Sequence, residues 1–406
     1  MNNELTDRCD GGLPEWARRP LVIQIFSAVK VLGGEARIVG GAVRDWIAGY
    51  PVNDIDMAVN LPIEIVASHF SSGDIRVVET GLKHGTITLC CAEDSIELTQ
   101  TRVDLETDGR HAVVAHHSDW CCDAARRDFT INAIYLDADG TIFDPLDGKS
   151  DLQAGRLKFV GDATRRVKED ALRIFRYCRF LPRFEKAGAN AEMANLLRDN
   201  AALCADLSGE RIAQELRQIM VGGKVAVVIG LLRRAQIDDA ALGVEFNLLP
   251  IGIEKNFERI LVKLGWIAGL ATIMPVGSAA RLAKRLRLSR VEDRCLARLD
   301  VGINDEELAM LKGPRWQQAA YYLGDWAPML YAVQSWRNLT VIDTQRFDEL
   351  AAWMPPKSPI CGTDLLSHGV DNGPAMGHLL GRAEKLWVAS NFTLKKAALL
   401  DCLFGN

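Results

Sequence analysis

Residues 38–59 read IVGGAVRDWIAGYPVNDIDMAV, a stretch that predicts strand, turn, helix and strand in succession. Ile38 and Val39 are a strand end, and Gly40-Gly41 permit a tight turn with close backbone approach. A helix is expected from Ala42, whose free N–H groups suit a phosphate, with Arg44 adding positive charge. Asp54-Ile55-Asp56 then reads as a strand. Residues i and i+2 share a face, so both carboxylates project to one side while Ile55 and Met57 face the core. Two carboxylates side by side repel unless a cation lies between them. Mg²⁺ prefers a few carboxylates together with substrate phosphates, so the pair suits a Mg²⁺–nucleotide site. The same residues also fit an exposed edge strand with solvated aspartates.

A third carboxylate follows downstream. SIELTQTR reads as a strand in which Glu97 alternates with Ile96 and Leu98. Two-metal phosphoryl transfer draws carboxylates from adjacent strands; a plain surface glutamate is the competing reading. Short β-rich runs with Gly and Asp punctuation fill residues 20–145, and beyond Asp151 the chain turns Ala/Leu/Arg-rich with helical apolar spacing. An α+β head, 1–150, is therefore expected ahead of a helical remainder. Pro355-Pro356 and Pro359 predict a break within it.

With 406 residues the chain is long enough for two or more domains. Its net charge of −5 lacks the basic balance common in nucleic-acid binders, although a local basic surface suffices where phosphates touch. Ten cysteines form no CxxC pair and two adjacent pairs, which fits reduced thiols in a cytoplasmic protein better than a disulfide framework or a zinc site. No apolar leader and no membrane-spanning stretch are apparent. His116-His117 lack a third metal ligand and are taken as loop histidines.

The order of motifs carries a resemblance. GGAVRD followed by DID, then TGLKHGTIT, TDGRH, RRDFTINAI, EDALRIFRYCRF and SGERIAQEL, resembles the class II tRNA nucleotidyltransferases and bacterial poly(A) polymerases over about residues 37–216. These belong to the polymerase-β-like nucleotidyltransferases. The resemblance implies a head domain followed by a helical neck (151–220) with base recognition, and a helical body and tail (221–406) that hold tRNA. It implies Mg²⁺ on Asp54 and Asp56, with Glu97 completing the carboxylate set. It implies Gly41 and Arg44 on the nucleotide phosphates, Arg127 and Asp128 near ribose and phosphates, and Asp170, Arg173, Arg176 and Arg179 lining the nucleotide pocket.

Without the family, EDALRIFRYCRF reads as a salt-bridged helix with Glu169–Arg173 and Asp170–Arg173 pairs. With it, Asp170 and Arg173 gain a chemical purpose. Cytosine and adenine both present an exocyclic amine beside an unprotonated ring nitrogen. A carboxylate accepts from the first and a guanidinium donates to the second. Uracil and guanine mismatch both, at about 1–3 kcal/mol for each buried group left unpaired. CTP and ATP are therefore the expected substrates. The reaction expected is attack of an RNA 3′-hydroxyl on the α-phosphorus with release of pyrophosphate.

For the RNA itself, SAARLAKRLRLSR concentrates Arg281, Lys284, Arg285, Arg287 and Arg290. An amphipathic helix burying Leu282, Leu286 and Leu288 explains the segment equally well. TGLKHGTIT favours the tRNA enzymes and CCA addition. A poly(A) polymerase, a CC-only or A-only enzyme, and an inactive RNA-binding or nucleotide-sensing protein are the alternatives; retention of Asp54, Asp56, Glu97 and Asp170 together argues against the last.

Overall fold

The computed structural model describes residues 7–8, 12–71, 73–82, 85–92, 94–107, 112–116, 118–249 and 254–405. Lys83 and His84 of TGLKHGTIT, Asp108–His111 of TDGRH, and His117 lie outside them.

Ten strands are described: β1 (Asp7–Arg8), β2 (Ala36–Val39), β3 (Asp56–Val59), β4 (Arg76–Gly81), β5 (Thr86–Cys91), β6 (Asp94–Gln100), β7 (Arg102–Thr107), β8 (Ala112–His116), β9 (Tyr135–Leu136) and β10 (Thr141–Phe143). Eight form one sheet in the order β1-β10-β9-β2-β3-β6-β5-β4, and β7 pairs with β8 apart from it. Its pairings are antiparallel except β3 with β6. Alternation divides the sheet's residues between two faces. Ile38, Met57, Ile87 and Leu98 point to one side and build the main core with Leu21, Val22 and Ile25 of α1 (Pro20–Val31), Val43 of α2 (Gly41–Ile47) and Val66 of α3 (Ile63–Phe70). Val39, Ala58 and Tyr135 point to the other, where Trp120 and Ala124 of α4 (Trp120–Ala125) cover them.

After the sheet the chain is helical: α5 (Gly148–Ala154), α6 (Ala163–Glu169), α7 (Leu172–Phe184), α8 (Ala191–Asp199) and α9 (Gly209–Val221), with further helices to Phe404. Asn190 and Ser208 cap α8 and α9 by accepting from backbone N–H groups. The chain divides into two compact units, 1–222 with 230–243, and 223–229 with 244–406. The expected head (1–150) and neck (151–220) thus fall in the same unit. In the second unit, no helix spans 353–361, the segment holding Pro355, Pro356 and Pro359. A small core of Leu365, Ala383, Trp387 and Leu399 follows it. Among the described residues no helix is long and apolar enough to cross a membrane, and none of the nine described cysteines joins in a disulfide.

Three local expectations need correction. α2 begins at Gly41 instead of Ala42. β3 begins at Asp56, so Asp54 and Ile55 precede it. The reason is the partner strand: β2 ends at Val39, opposite Asp56, because Gly40 turns away at φ 74°. EDALRIFRYCRF is not one helix either. α6 ends at Glu169, Asp170 is extended, and its carboxylate accepts from Leu172 N–H at 3.1 Å to start α7.

Candidate active site

One lateral row of residues crosses the sheet. Register pairs Phe143 with Tyr135, Tyr135 with Val39, Val39 with Asp56, Asp56 with Glu97, and Glu97 with Thr88. Asp56 and Glu97 are therefore neighbours on one face, and both are exposed. Ile55 and Met57 are 2% and 1% exposed, so the inward and outward alternation begins before the strand does.

A cleft of about 530 Å³ opens at the end of β2 and β3. Its floor is the Gly40-Gly41 turn with Asp54 and Asp56. Its walls carry five arginines, Arg44, Arg127, Arg176, Arg179 and Arg183, with Asp128, Asn132 and Phe180. α7 supplies the row Arg176, Arg179, Phe180 and Arg183, spaced so that one helical face meets the cleft.

Each of these arginines has partners within the protein. Arg44, 7% exposed, donates to Asp45 at 2.8 Å and to the Asn132 side chain at 2.6 Å, and stacks on Phe180 and Phe184. Burial lowers its pKa, opposed by Asp45. Arg127 donates to Asp123 at 2.9 Å and to the Tyr135 hydroxyl at 3.1 Å. Although burial opposes its charge, Tyr135 and Asp123 hold the guanidinium well above its ordinary pKa. Arg176 donates to Asp128 at 2.7 Å, and Arg179 to Glu215 at 2.6 Å. Arg183 lies over the Tyr50 ring at 3.9 Å and 3.4 Å from Asp45.

The carboxylates behave differently. Enclosure in the cleft and the Glu97 carboxylate raise Asp56 above its ordinary pKa; Arg127 opposes this and Asp54 adds to it. Asp128 is also buried, but Arg176, the Asn132 amide and the Phe129 N–H outweigh that and hold it below the usual range. No group of three or more His, Cys, Asp and Glu side chains suited to a metal occurs among the described residues. Asp54 and Asp56 share the cleft, whereas Glu97 stands beside Asp56 without lining it. A divalent ion there would take its remaining ligands from phosphates and water.

Gly41, Arg44, Asp54, Asp56, Arg127, Asp128, Arg176 and Arg179 are thus brought together as residues of one cleft. Asp170 and Arg173 do not line it. Asp170 receives Arg211 at 2.7 Å; Arg173 donates to Glu169 at 2.9 Å and to the carbonyls of Arg166 and Arg126. The expected Asp170–Arg173 pair is replaced by these bonds because Asp170 leaves the helix. Sequence reasoning missed Asp45, Asn132, Phe180 and Arg183 in the cleft, and Asp123, Tyr135 and Glu215 behind it. Arg183 was within reach, one heptad after Arg176 on the same helical face. Asp123 and Tyr135 gave no signal, since only the tertiary fold joins them to Arg127.

In the second unit, Arg281, Lys284 and Arg285 lie on the helix Ala279–Leu286, Arg287 follows in the left-handed conformation at φ 52°, and Arg290 opens the next helix. Leu282 and Leu286 are buried and Leu288 only half-buried; Arg281, Lys284, Arg287 and Arg290 are exposed. The helix is amphipathic, and its cationic face meets solvent.

The family model of the Poly A polymerase head domain matches residues 36–158. Among curated proteins, the chain is 31% identical over 384 residues to CCA tRNA nucleotidyltransferase 1, mitochondrial, of Danio rerio, covering 91% of this chain and 87% of that one. Among solved structures, it resembles the Bacillus stearothermophilus CCA-adding enzyme in complex with CTP, with TM-score 0.72 and 23% identity, over 93% of this chain and 94% of that one. It also resembles the Thermotoga maritima CCA-adding enzyme complexed with tRNA, with TM-score 0.71 and 18% identity, over 98% of both chains. The two structural likenesses are of fold. The near-full-length sequence identity goes further: the chain belongs to the family of CCA tRNA nucleotidyltransferases, the CCA-adding enzymes.

Proposed function

We propose that this chain adds C, C and A to the 3′ end of tRNA from CTP and ATP, releasing pyrophosphate. The observation that carries the reading is the cleft itself: two aspartates one residue apart where a strand begins, faced by five arginines, in a chain of this family.

Asp54 and Asp56 fit a divalent ion, Mg²⁺ by preference. Both line one cleft; enclosure there and the neighbouring Glu97 and Asp54 carboxylates raise Asp56, and a cation would stabilise the charge that they disfavour. Bound there with phosphate oxygens, the ion would lower the pKa of the RNA 3′-hydroxyl and neutralise charge on the leaving oxygen. The protein's own groups do the rest. Gly41 is proposed to leave room for a phosphate at the start of α2, and Arg44, Arg127 and Arg176, which line the cleft, are proposed to bind triphosphate oxygens. Glu97, beside Asp56 on the neighbouring strand, is proposed to complete the carboxylate set. Asp170 and Arg173 are proposed to read the base. Asp170 keeps acceptor capacity beyond its bonds to Arg211 and Leu172, and Arg173 keeps donors beyond Glu169. The cationic face at Arg281, Lys284, Arg285, Arg287 and Arg290 is proposed to hold the tRNA backbone. The proposed compartment is the cytoplasm, where thiols stay reduced; fractionation tests it.

The deciding experiment offers the purified protein tRNAs ending before CCA, after CC and after CCA, with each NTP separately. Addition of C, C and A that halts is expected. Long A tails on unrelated RNA would overturn this in favour of a poly(A) polymerase, the second reading, which the matched head-domain family also includes. Addition that stops at CC, or A alone, would mark a partial enzyme.

A further inference from the structure

We infer that Asp123 and Tyr135, which do not touch the cleft, are positioning residues that aim Arg127 at the nucleotide phosphates. The inference rests on the nucleotide site proposed above and deepens it. Asp123 lies on α4, is 0% exposed, and its carboxylate accepts on both oxygens. Oδ1 takes Arg126 Nε at 2.8 Å and Nη2 at 2.5 Å; Oδ2 takes Arg127 Nη2 at 2.9 Å, Arg127 Nε at 3.3 Å and the Tyr135 hydroxyl at 2.8 Å. The Tyr135 oxygen in turn accepts from Arg127 Nε at 3.1 Å.

A guanidinium offers five N–H donors in a fixed planar fork. Asp123 and Tyr135 occupy the Nε–Nη2 edge of Arg127. Its Nη1 stands at the opposite edge, 3.5 Å from the Asn132 carbonyl and 3.7 Å from where a Cβ on Gly40 would sit. Two fixed points on one edge set both the plane and the direction of the other. Tyr135 occupies the same lateral sheet row as Asp56, one strand removed through Val39. The sheet that carries the metal-binding aspartate therefore also carries the hydroxyl that orients the arginine. One carboxylate is shared by Arg126 and Arg127, so the trio retains one net positive charge for the cleft. A buried, hydrogen-bonded carboxylate with no access to the nucleotide has no other evident role in that chemistry.

The test is a double-mutant cycle on the full-length enzyme. KM and kcat for CTP and ATP are measured for Asp123→Asn, Arg127→Ala and the double variant, with melting temperatures alongside. Arg127→Ala is expected to raise KM about tenfold or more, the scale of a lost charged hydrogen bond. Asp123→Asn should reproduce most of that rise, and the double variant should be no worse than Arg127→Ala alone. Multiplying effects would overturn the inference. So would an Asp123→Asn enzyme with unchanged KM. An Arg127→Ala enzyme with normal KM would instead bring down the nucleotide site, and this inference with it. If Asp123→Asn does not fold, Tyr135→Phe decides by the same cycle. It keeps the ring against Trp120 and Phe143 and removes only the hydroxyl; a KM rise of about threefold, absent in the Arg127→Ala background, is the supporting result.

Discussion

Arg176 donates its Nε proton to Asp128 at 2.7 Å, and Asp128 is 8% exposed, so the aspartate of RRDFTINAI is committed to the protein before any nucleotide arrives. Breaking a buried pair by removing one charge leaves the other uncompensated, at about 3 kcal/mol. The Arg176 side chain is 36% exposed, so solvent screens part of this cost, and Asp128→Asn is expected to lower stability by roughly 1–2 kcal/mol as well as activity, visible as a fall in the urea midpoint. A variant with normal stability and low activity would assign Asp128 to the nucleotide rather than to the fold.

The same carboxylates give the acid limb of the stability curve. Asp123 and Asp128 both have folded pKa values below their ordinary ones, despite burial, because arginines face them. Their contribution is complete above the unfolded aspartate pKa of about 3.9 and is lost as pH falls through the lower folded values. Stability should hold from neutral pH to about 4 and then fall as protons bind on unfolding. Asp128→Asn should flatten that fall, as followed by chemical denaturation at a series of pH values.

Asp56 has the opposite sign. Its raised pKa means that its charge weighs against folding at neutral pH in the absence of a cation. Asp56→Asn should abolish incorporation yet raise the melting temperature in EDTA. Mg²⁺ should stabilise the wild-type chain more than this variant. Near-normal incorporation by Asp56→Asn or Asp54→Ala would refute the metal assignment.

Gly41 isolates the cleft from the fold. A Cβ there would meet only Arg44, at 3.8 Å, and the backbone is not in the left-handed region. Gly41→Ala should fold with an unchanged melting temperature, but raise KM for CTP and ATP about tenfold or more by crowding a phosphate, equivalent to about 1.4 kcal/mol. An unchanged KM would place the triphosphate elsewhere.

The cationic helix face is tested by salt. Replacing Arg281, Lys284, Arg287 and Arg290 with glutamine should weaken tRNA binding. The slope of log K against log salt should shrink by about 0.9 for each phosphate that is no longer neutralised. Unchanged slopes would leave those residues as ordinary solvent-facing charges.

Local pattern made a good part of this legible. GG followed by DID announced strand, turn, helix and strand because glycine freedom and alternation are properties of adjacent residues. Glu97 was readable as an outward strand position, and its pairing beside Asp56 came from the parallel register. The Asp170 break was not readable: EDALRIFRYCRF has helical spacing throughout, and the interruption depends on Asp170 bonding Leu172 N–H and Arg211 from α9. Asp123 and Tyr135 are twelve residues apart and meet only because α4 folds across the sheet.

The anchoring of all five cleft arginines has a consequence for repeated turnover. Side chains already immobilised give up little conformational entropy when a triphosphate binds. The ordering cost is met once, during folding, and not at each of three successive additions. If these arginines hold the triphosphate as proposed, the cradle is indifferent to which base it delivers, which leaves the choice between pyrimidine and purine to groups outside it.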